Sequence, residues 1–291
     1  AMAKVNYELK NMFPQVTKIT FGRITTFCPL FCADDVLKDL ESSYVTVSRV
    51  SQILEEIRLV DYTAFYRESL DMAHLDVMGK ETIHLEYLPD IILMPNVGIR
   101  GVMWQEIEGR KKDTPARFIL PIFPTINISN VLTCLTGRFR WEMCKRSQGV
   151  YWNNISEPSL TSEYCDYIQF YKKNRELPEA VKDKIKATLK SCRNNYREVF
   201  VRDYETWLLY ETAGSFRLNK VARRILALYC PFSKEIREHL MTNPMVKDLF
   251  SGENKILATK EKHLELVISQ LDKKGIDTPK ELLDFRDFLH M

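Results

Sequence analysis

The sequence has little glycine and no long apolar run. Glycine occurs only 10 times in 291 residues, which argues against a turn-dense all-β barrel or propeller, because such folds need many tight turns. No window approaches the ~20 consecutive apolar residues that a membrane helix requires. The chain does not begin with a positively charged segment followed by an apolar run, so no secretion signal is visible.

Cysteine is present without a regular pattern. The seven cysteines are an odd number and lack the dense spacing of a disulfide scaffold, which favours reduced thiols in a cytoplasmic protein. Cys28 and Cys32 lie four residues apart but have no second pair nearby. Buried structural thiols are therefore favoured over a metal or redox pair.

The common enzyme signatures are also missing. The sequence contains no glycine-rich phosphate loop, no G-x-S-x-G, no H-E-x-x-H and no protein-kinase motif set. Glu106 and Glu108 could serve acid–base chemistry on one face of a strand, but Arg100, Arg110 and Arg117 offer them structural ion pairs. No cofactor is assigned, and an enzyme is the less favoured reading.

What is present is the composition of a globular protein. The chain is 45% hydrophobic and 28% charged, and its length allows one large domain or two ordinary ones. The net charge of +3 hides an asymmetry. Residues 31–90 carry 5 Lys/Arg and 13 Asp/Glu, a net of −8, whereas residues 100–150 carry 9 and 4, a net of +5. Either the two sections complement each other, or one faces a partner, or both are solvated faces.

Hydrophobic spacing predicts a mainly α fold of the α+β class. In the N-terminal part, helices are expected at 34–42, 47–59 and 62–72, where apolar residues recur every three or four positions. Short apolar runs broken by prolines predict a small mixed or antiparallel sheet at about 80–124.

From Ile126 onward the pattern predicts a large C-terminal helical array. One helix is expected to end near Ser147, and the helical phase from 181 to 207 indicates one long helix or two joined near Asn194. We expect two regions, 1–124 and 125–291, or one continuous domain. The first residues, Ala1-Met2-Ala3, resemble an expression scar, so we expect a fragment of a longer protein whose missing part is N-terminal.

The most unusual local feature of the sequence is the combination of aromatic and basic residues. Such mixtures suit stacking on bases or binding of phosphates. The alternative is that these side chains tie helices together by stacking and by buried ion pairs with Glu142, Asp203 or Glu211. The candidate ligand-binding residues are Arg138, Arg140, Trp141, Lys145, Arg146, Trp152, Arg217, Lys220, Arg223 and Arg224.

Two pairs of histidine and carboxylate could bind a metal. His74 and Asp76, and likewise His84 and Glu86, are two residues apart, a spacing that places side chains on one face of a strand. The alternative is an exposed polar strand face and a helix end, where histidine is favourable.

Several segments together resemble an uncharacterised region of bacterial proteins that also carry a cyclic-nucleotide-binding domain. The similarity covers roughly residues 90–245 and rests on Arg138–Arg146, Gly149, Trp152, the Ser159–Tyr164 run, Tyr167–Asn174 and Arg217–Arg223. It supplies no catalytic residues, and this chain lacks an evident phosphate cassette. The resemblance implies that the chain is the output part and that a nucleotide sensor lies on the missing segment.

Three hypotheses follow. The first is a non-catalytic regulatory or interaction module of a bacterial cytoplasmic signalling protein, whose partner is another protein or the missing sensor domain, with no membrane contact. The second is a nucleic-acid or nucleotide-phosphate binder that uses the basic aromatic residues. The third is a metal-dependent enzyme centred on His74, Asp76, His84 and Glu86.

Overall fold

The computed structural model describes residues 24–26, 44–71, 81–94, 101–104 and 116–290. These residues belong to two compact units, one within Ala1–Ile57 and Tyr87–Phe139, the other within Arg58–Glu86 and Arg140–Met291. Both units therefore draw residues from each side of the division between 1–124 and 125–291, and that division stays a prediction.

The described strands form two small sheets. A mixed sheet of order β1-β4-β6-β5 belongs to the first unit; its β1–β4 and β4–β6 pairs are parallel and its β5–β6 pair is antiparallel. The second unit contains the antiparallel pair β2–β3. In chain order the strands are β1 (Ile24–Thr26), β2 (Tyr66–Asp71), β3 (Glu81–Glu86), β4 (Asp90–Met94), β5 (Val102–Trp104) and β6 (Arg117–Pro121).

Most of the rest of the described chain is helical, as the fold class predicted. None of its helices is both long and apolar enough to cross a lipid bilayer. In chain order they are α1 (Val47–Val60), α2 (Ile128–Gln148), α3 (Leu160–Lys173), α4 (Glu179–Ser191), α5 (Tyr196–Thr206), α6 (Lys220–Tyr229), α7 (Lys234–Leu240), α8 (Pro244–Lys273) and α9 (Lys280–His290). Short 3₁₀ turns at Tyr62–Phe65 and Gly149–Tyr151 and a π-helical turn at Trp207–Glu211 complete the described elements.

The predicted small sheet at about 80–124 is confirmed. Its central strand β4 buries Ile91, Ile92 and Leu93, as expected for a strand that is paired in parallel on both sides and covered on both faces. Strands β1 and β2 lie outside the predicted range. The predicted helix at 34–42 lies outside the described residues.

The predicted helix at 62–72 was wrong. This segment forms a 3₁₀ turn, Tyr62–Phe65, and then strand β2, which pairs with β3 from Tyr66 opposite Glu86 to Asp71 opposite Glu81. The spacing of Tyr62, Phe65 and Tyr66 imitates a helix because the tight turn buries consecutive residues. Pairing with β3 then takes the backbone hydrogen bonds that a helix would have used.

Side-chain caps define the starts of four helices in the second unit. Ser159 caps α3 in a capping box with Ser162, and asparagine side chains accept hydrogen bonds from the first turns of α5, α6 and α8. Between α4 and α5, Arg193 and Asn194 adopt φ values of 54° and 59°, a left-handed turn that stops the first helix. Of the two alternatives left open for residues 181–207, the structure therefore shows two helices joined near Asn194.

Stacked aromatic rings form the centre of the C-terminal helices. Trp207 lies 3.9 Å from Phe232 between ring centroids, and Phe250 lies 6.2 Å from Phe232 and 6.4 Å from Trp207. All three side chains are buried. The Trp207 indole also donates to the Cys230 carbonyl at 3.0 Å, so its polar edge is satisfied.

Replacing Phe232 by alanine should lower the free energy of unfolding by about 3–5 kcal/mol, because the change leaves a cavity inside the stack. Urea unfolding followed by tryptophan fluorescence would measure it. The matched control is Phe170→Ala, at a ring that is 49% exposed; its cost should stay below about 1 kcal/mol. Equal losses in the two variants would contradict this description of the core.

Candidate functional site

Three tyrosine–carboxylate hydrogen bonds, one buried and two partly buried, tie the second unit together. Each phenol donates to a carboxylate on a different element, over 2.6 to 2.7 Å. The pairs join α3 to α5, α5 to the turn before β2, and α6 to α3. They are Tyr164 with Asp203, Tyr204 with Asp61, and Tyr229 with Glu163.

Arg140, a predicted ligand-binding residue, is part of this buried network. Its exposed fraction is 2%; Nε donates to the Thr63 hydroxyl and Nη2 to the Tyr229 carbonyl, both at 3.1 Å. The Thr63 hydroxyl donates in turn to Asp61 at 2.7 Å. Burial raises the pKa of Asp61 and the charge of Arg140 opposes that rise. This guanidinium therefore holds the fold together and is not available to a solvent-borne ligand.

Trp141 and its neighbours likewise form packing contacts. The Trp141 ring lies 5.5 Å from Phe200 and 6.4 Å from Tyr164 between centroids, and it is buried. Lys145 Nζ stands 5.0 Å from the centroid of the Trp152 ring. Because Trp152 lies edge-on to Trp141 at 6.3 Å, these predicted residues do meet, but around a helix-packing cluster.

Arg223 is bound by the buried carboxylate of Glu211. The guanidinium donates from Nε at 2.6 Å and from Nη2 at 3.1 Å. Glu211, the last residue of the π-helical turn, also accepts the backbone N–H groups of Arg217 and Leu218 at 2.8 Å. This is the pairing with Glu211 that the helix-packing alternative expects.

The remaining predicted cations are more exposed. Arg217 stacks its guanidinium 3.9 Å from the centroid of the Tyr210 ring. Lys220 and Arg224 are exposed one turn apart on α6, whereas Arg138 and Arg146 on α2 are partly exposed. Since Arg140 contacts the C-terminal end of α6, about 15 Å along the helix from Lys220, the second unit does not bring its predicted cations to one surface.

Few of the candidate metal ligands lie within the part of the chain that the structure describes. His74 and Asp76 lie outside it, and of His84 the structure describes only its backbone place in β3. Glu86 is bound to Arg58. Within the described part of the chain no group of three or more potential ligands could hold a metal ion. Glu106, Glu108, Cys28 and Cys32 also lie outside it.

The second unit contains a cleft of about 270 Å³ that the sequence did not predict. Its wall is aromatic: Tyr62 is stacked between Tyr66 at 4.5 Å and Phe288 at 4.8 Å. Leu59, which is 54% exposed, lies on its rim. We call this cavity the tyrosine cleft; its charged lining residues are Arg58, Glu86, Lys280, Asp284 and Asp287.

Segments far apart in the sequence build the tyrosine cleft. The end of α1 and the 3₁₀ turn that follows it supply Arg58 and Tyr62, β3 supplies Glu86, and α9 supplies Asp284 and Asp287. Asp61 fixes the turn because its carboxylate accepts from the Thr63 N–H at 2.9 Å while it is held by Tyr204. The buried network therefore sets the position of the aromatic wall.

The carboxylates give the cleft a negative potential. Burial is the main cause of the raised pKa of Tyr66, and the charges of Glu86 and Asp284 raise it further. Burial and Tyr66 raise the pKa of Tyr62, and the same two carboxylates add to that rise. The phenols thus remain neutral donors beside an acidic rim.

Sequence reasoning missed this cleft because α9 and the turn before β2 are more than 200 residues apart. One local signal was available: an acidic residue directly precedes a tyrosine at five places, Asp61-Tyr62, Glu86-Tyr87, Glu163-Tyr164, Asp166-Tyr167 and Asp203-Tyr204. In three of them, those that begin with Asp61, Glu163 and Asp203, the carboxylate accepts from another tyrosine. At the first pair, the neighbouring Tyr62 lines the cleft.

Comparison with known families gives one match, in the C-terminal half. The model of a family described as a domain of unknown function (DUF8509) matches residues 149–288, from the 3₁₀ turn before α3 into α9. The predicted uncharacterised region, about 90–245, overlaps this range, so the chain is similar to an uncharacterised domain there. No curated protein and no solved structure matches the chain.

Asp203 gives the core a measurable pH dependence. Burial raises the pKa of its carboxyl to about 6, against the opposing effect of the hydrogen bond from Tyr164. In the unfolded chain the ordinary value of 3.8 applies. The folded protein thus holds this proton more tightly, and stability falls as pH rises from about 4 to about 6.

Asp203→Asn should therefore stabilise the protein by about 1–3 kcal/mol at pH 7.5, and the gain should shrink towards zero near pH 4. Asparagine retains an oxygen that accepts from Tyr164 but carries no charge. Urea unfolding of variant and parent at both pH values would measure the difference. Asp272→Asn, at an exposed position of α8, is the control; a gain for Asp203→Asn that is independent of pH would contradict the assignment.

Proposed function

We propose that this chain is a regulatory interaction module of a bacterial cytoplasmic signalling protein and that it binds a protein partner through the tyrosine cleft. The observation that carries the proposal is the make-up of that cleft. An aromatic wall inside a charged rim is the anatomy of protein-binding hot spots, where buried rings supply affinity and rim charges supply specificity.

The rigidity of the surrounding network supports this role. Tyr62 is held between two rings and adjoins Asp61, whose carboxylate is held by Tyr204 and Thr63. A preorganised wall loses little conformational entropy when a partner binds. The buried setting of Arg140 and Arg223 further favours the helical array as a framework for such a site.

The resemblance to a region that accompanies cyclic-nucleotide-binding domains suggests where this module acts. In such an arrangement the chain would serve as the output part, and a nucleotide sensor elsewhere in the protein would control access to its binding surface. The family match at 149–288 carries no assigned function, so this role in signalling rests on the resemblance and on the cleft.

A photo-crosslinking amino acid at Leu59 tests the proposal in cells of the native host. Leu59 lies on the rim of the cleft, so irradiation should yield a discrete adduct with one protein. Leu266 is the matched control, because this leucine of α8 is 63% exposed and does not line the cleft. The adduct at Leu59 should weaken at least threefold when Asp287→Lys reverses a rim charge.

An identical adduct from Leu266, or a yield at Leu59 that does not change in Asp287→Lys, would contradict the role of the cleft. Robust hydrolase turnover that is abolished by changing one cleft residue would refute the non-catalytic assignment altogether.

A second candidate function, binding of nucleic acid or nucleotide phosphate, is favoured by one observation. Arg217, Lys220 and Arg224 are exposed, Lys220 and Arg224 lie one turn apart on α6, and Arg217 is stacked on Tyr210. Cations beside an aromatic ring suit a phosphate backbone and its bases. The surface is smaller than the sequence suggested, because Arg140 and Arg223 are buried.

Fluorescence anisotropy of a labelled single-stranded oligonucleotide tests this candidate. Binding should weaken as salt is raised, and Arg217→Glu with Lys220→Glu should reduce the affinity about tenfold or more. Lys184→Glu with Lys190→Glu on α4 changes the net charge equally at exposed positions and should have a smaller effect. Equal losses for both double variants would indicate nonspecific attraction and remove the candidate.

A further inference from the structure

The rim of the tyrosine cleft carries more carboxylates than cations. Glu86, Asp284 and Asp287 face Arg58 and Lys280 around it. Asp284 and Asp287 lie three residues apart on α9, a spacing that places them on the same side of the helix. They form an acidic edge of the cleft.

The two cations differ in how firmly they are held. Arg58 donates directly to Glu86, and both side chains are about one-third exposed, so this pair neutralises itself. Lys280 is 78% exposed and stands 3.8 Å from Asp284, a surface ion pair that contributes little and is easily displaced. Asp287 is 65% exposed and forms an ion pair with its sequence neighbour Arg286, at 3.3 Å. The acidic edge can therefore accept another cation.

The aromatic wall of the cleft suits a flat, weakly hydrated group. Tyr66, Tyr62 and Phe288 form this wall; burial is the main cause of the raised pKa of both phenols, and the charges of Glu86 and Asp284 raise it further. The exposed Leu59 beside them offers an apolar contact. The volume of about 270 Å³ is suited to one long side chain and lies below the usual size of a site for a drug-like ligand.

From this arrangement we infer that the tyrosine cleft binds the guanidinium group of an arginine side chain on a polypeptide partner. The guanidinium would displace Lys280, bridge Asp284 and Asp287, and lie against the aromatic wall, while an apolar neighbour of that arginine contacts Leu59. This inference rests on the proposed function and specifies the chemistry of its partner.

A guanidinium fits these groups better than the alternatives. Its planar fork can donate to two carboxylates at once, and it loses less hydration than an ammonium when it packs on an aromatic surface. A phosphate or carboxylate ligand would meet repulsion from Asp284 and Asp287. An uncharged aromatic ligand would leave the acidic edge unused.

Methyl NMR of the complete chain with labelled leucines provides the test, with the Leu59 signal identified by its loss in Leu59→Ile. The probe is acetyl-arginine amide, and acetyl-citrulline amide is its neutral counterpart of nearly the same shape. We expect saturable shifts at Leu59 with the arginine probe and at least fivefold weaker binding of the citrulline probe. Asp284→Asn with Asp287→Asn should weaken the arginine probe at least fivefold, because both partly exposed carboxylates lose their charge.

The control is Asp272→Asn with Asp277→Asn, which removes two charges outside the cleft and should leave binding within twofold. Equal binding of both probes, shifts that do not saturate, or equal losses in both double variants would overturn the inference. An adduct at Leu59 in cells together with a failed arginine titration would reject the guanidinium and retain the interaction module. Failure of both would reject the module as well.

Discussion

The second unit depends on hydrogen bonds between phenols and carboxylates that are buried or partly buried. A carboxylate that leaves water loses several kcal/mol of solvation unless donors replace the lost hydration. Asp61 receives donors from Tyr204, from the Thr63 hydroxyl and from the Thr63 backbone. Because these donors come from α5 and from the turn before β2, the requirement to satisfy one acid fixes two distant segments against each other. Asp203 and Glu163 impose the same requirement between α5, α3 and α6.

This requirement distinguishes the side chains that hold the fold together from those that can bind a ligand. Arg140 and Arg223 have the chemistry of phosphate-binding residues, yet both donate to groups within the protein. Arg140 donates to the Thr63 hydroxyl and the Tyr229 carbonyl, and Arg223 donates to both oxygens of Glu211. A buried guanidinium with such partners cannot turn to a ligand without leaving them unsatisfied. A ligand can therefore reach two exposed places in this unit: the tyrosine cleft and the surface around Arg217 and Lys220.

The sequence predicted those features that depend on local pattern. Apolar spacing identified α1 and α2. The helical pattern from 181 to 207 was compatible with one helix or two, and the left-handed turn at Asn194 separates it into two helices. Prolines and short apolar runs located the small sheet. The same reasoning failed at Tyr62–Asp71, because the pairing of β2 with β3 is a tertiary contact that overrides local spacing. Of the three carboxylates named as possible partners for the basic residues, Glu211 binds the buried Arg223, whereas Asp203 accepts from Tyr164.

The tyrosine cleft was beyond such reasoning for a physical reason. Its wall and its acidic edge come from the turn at Tyr62 and from α9, and only the packing of α9 against β3 and α8 brings them together. Leu282 and Leu289 bury one side of α9 against Leu264 and Leu271 of α8, which leaves Asp284 and Asp287 on the rim of the cleft. Phe288 then completes the stack on Tyr62. The packing of α9 thus determines which charges line the cleft, and the hydrogen bonds of Asp61 determine the position of its aromatic wall.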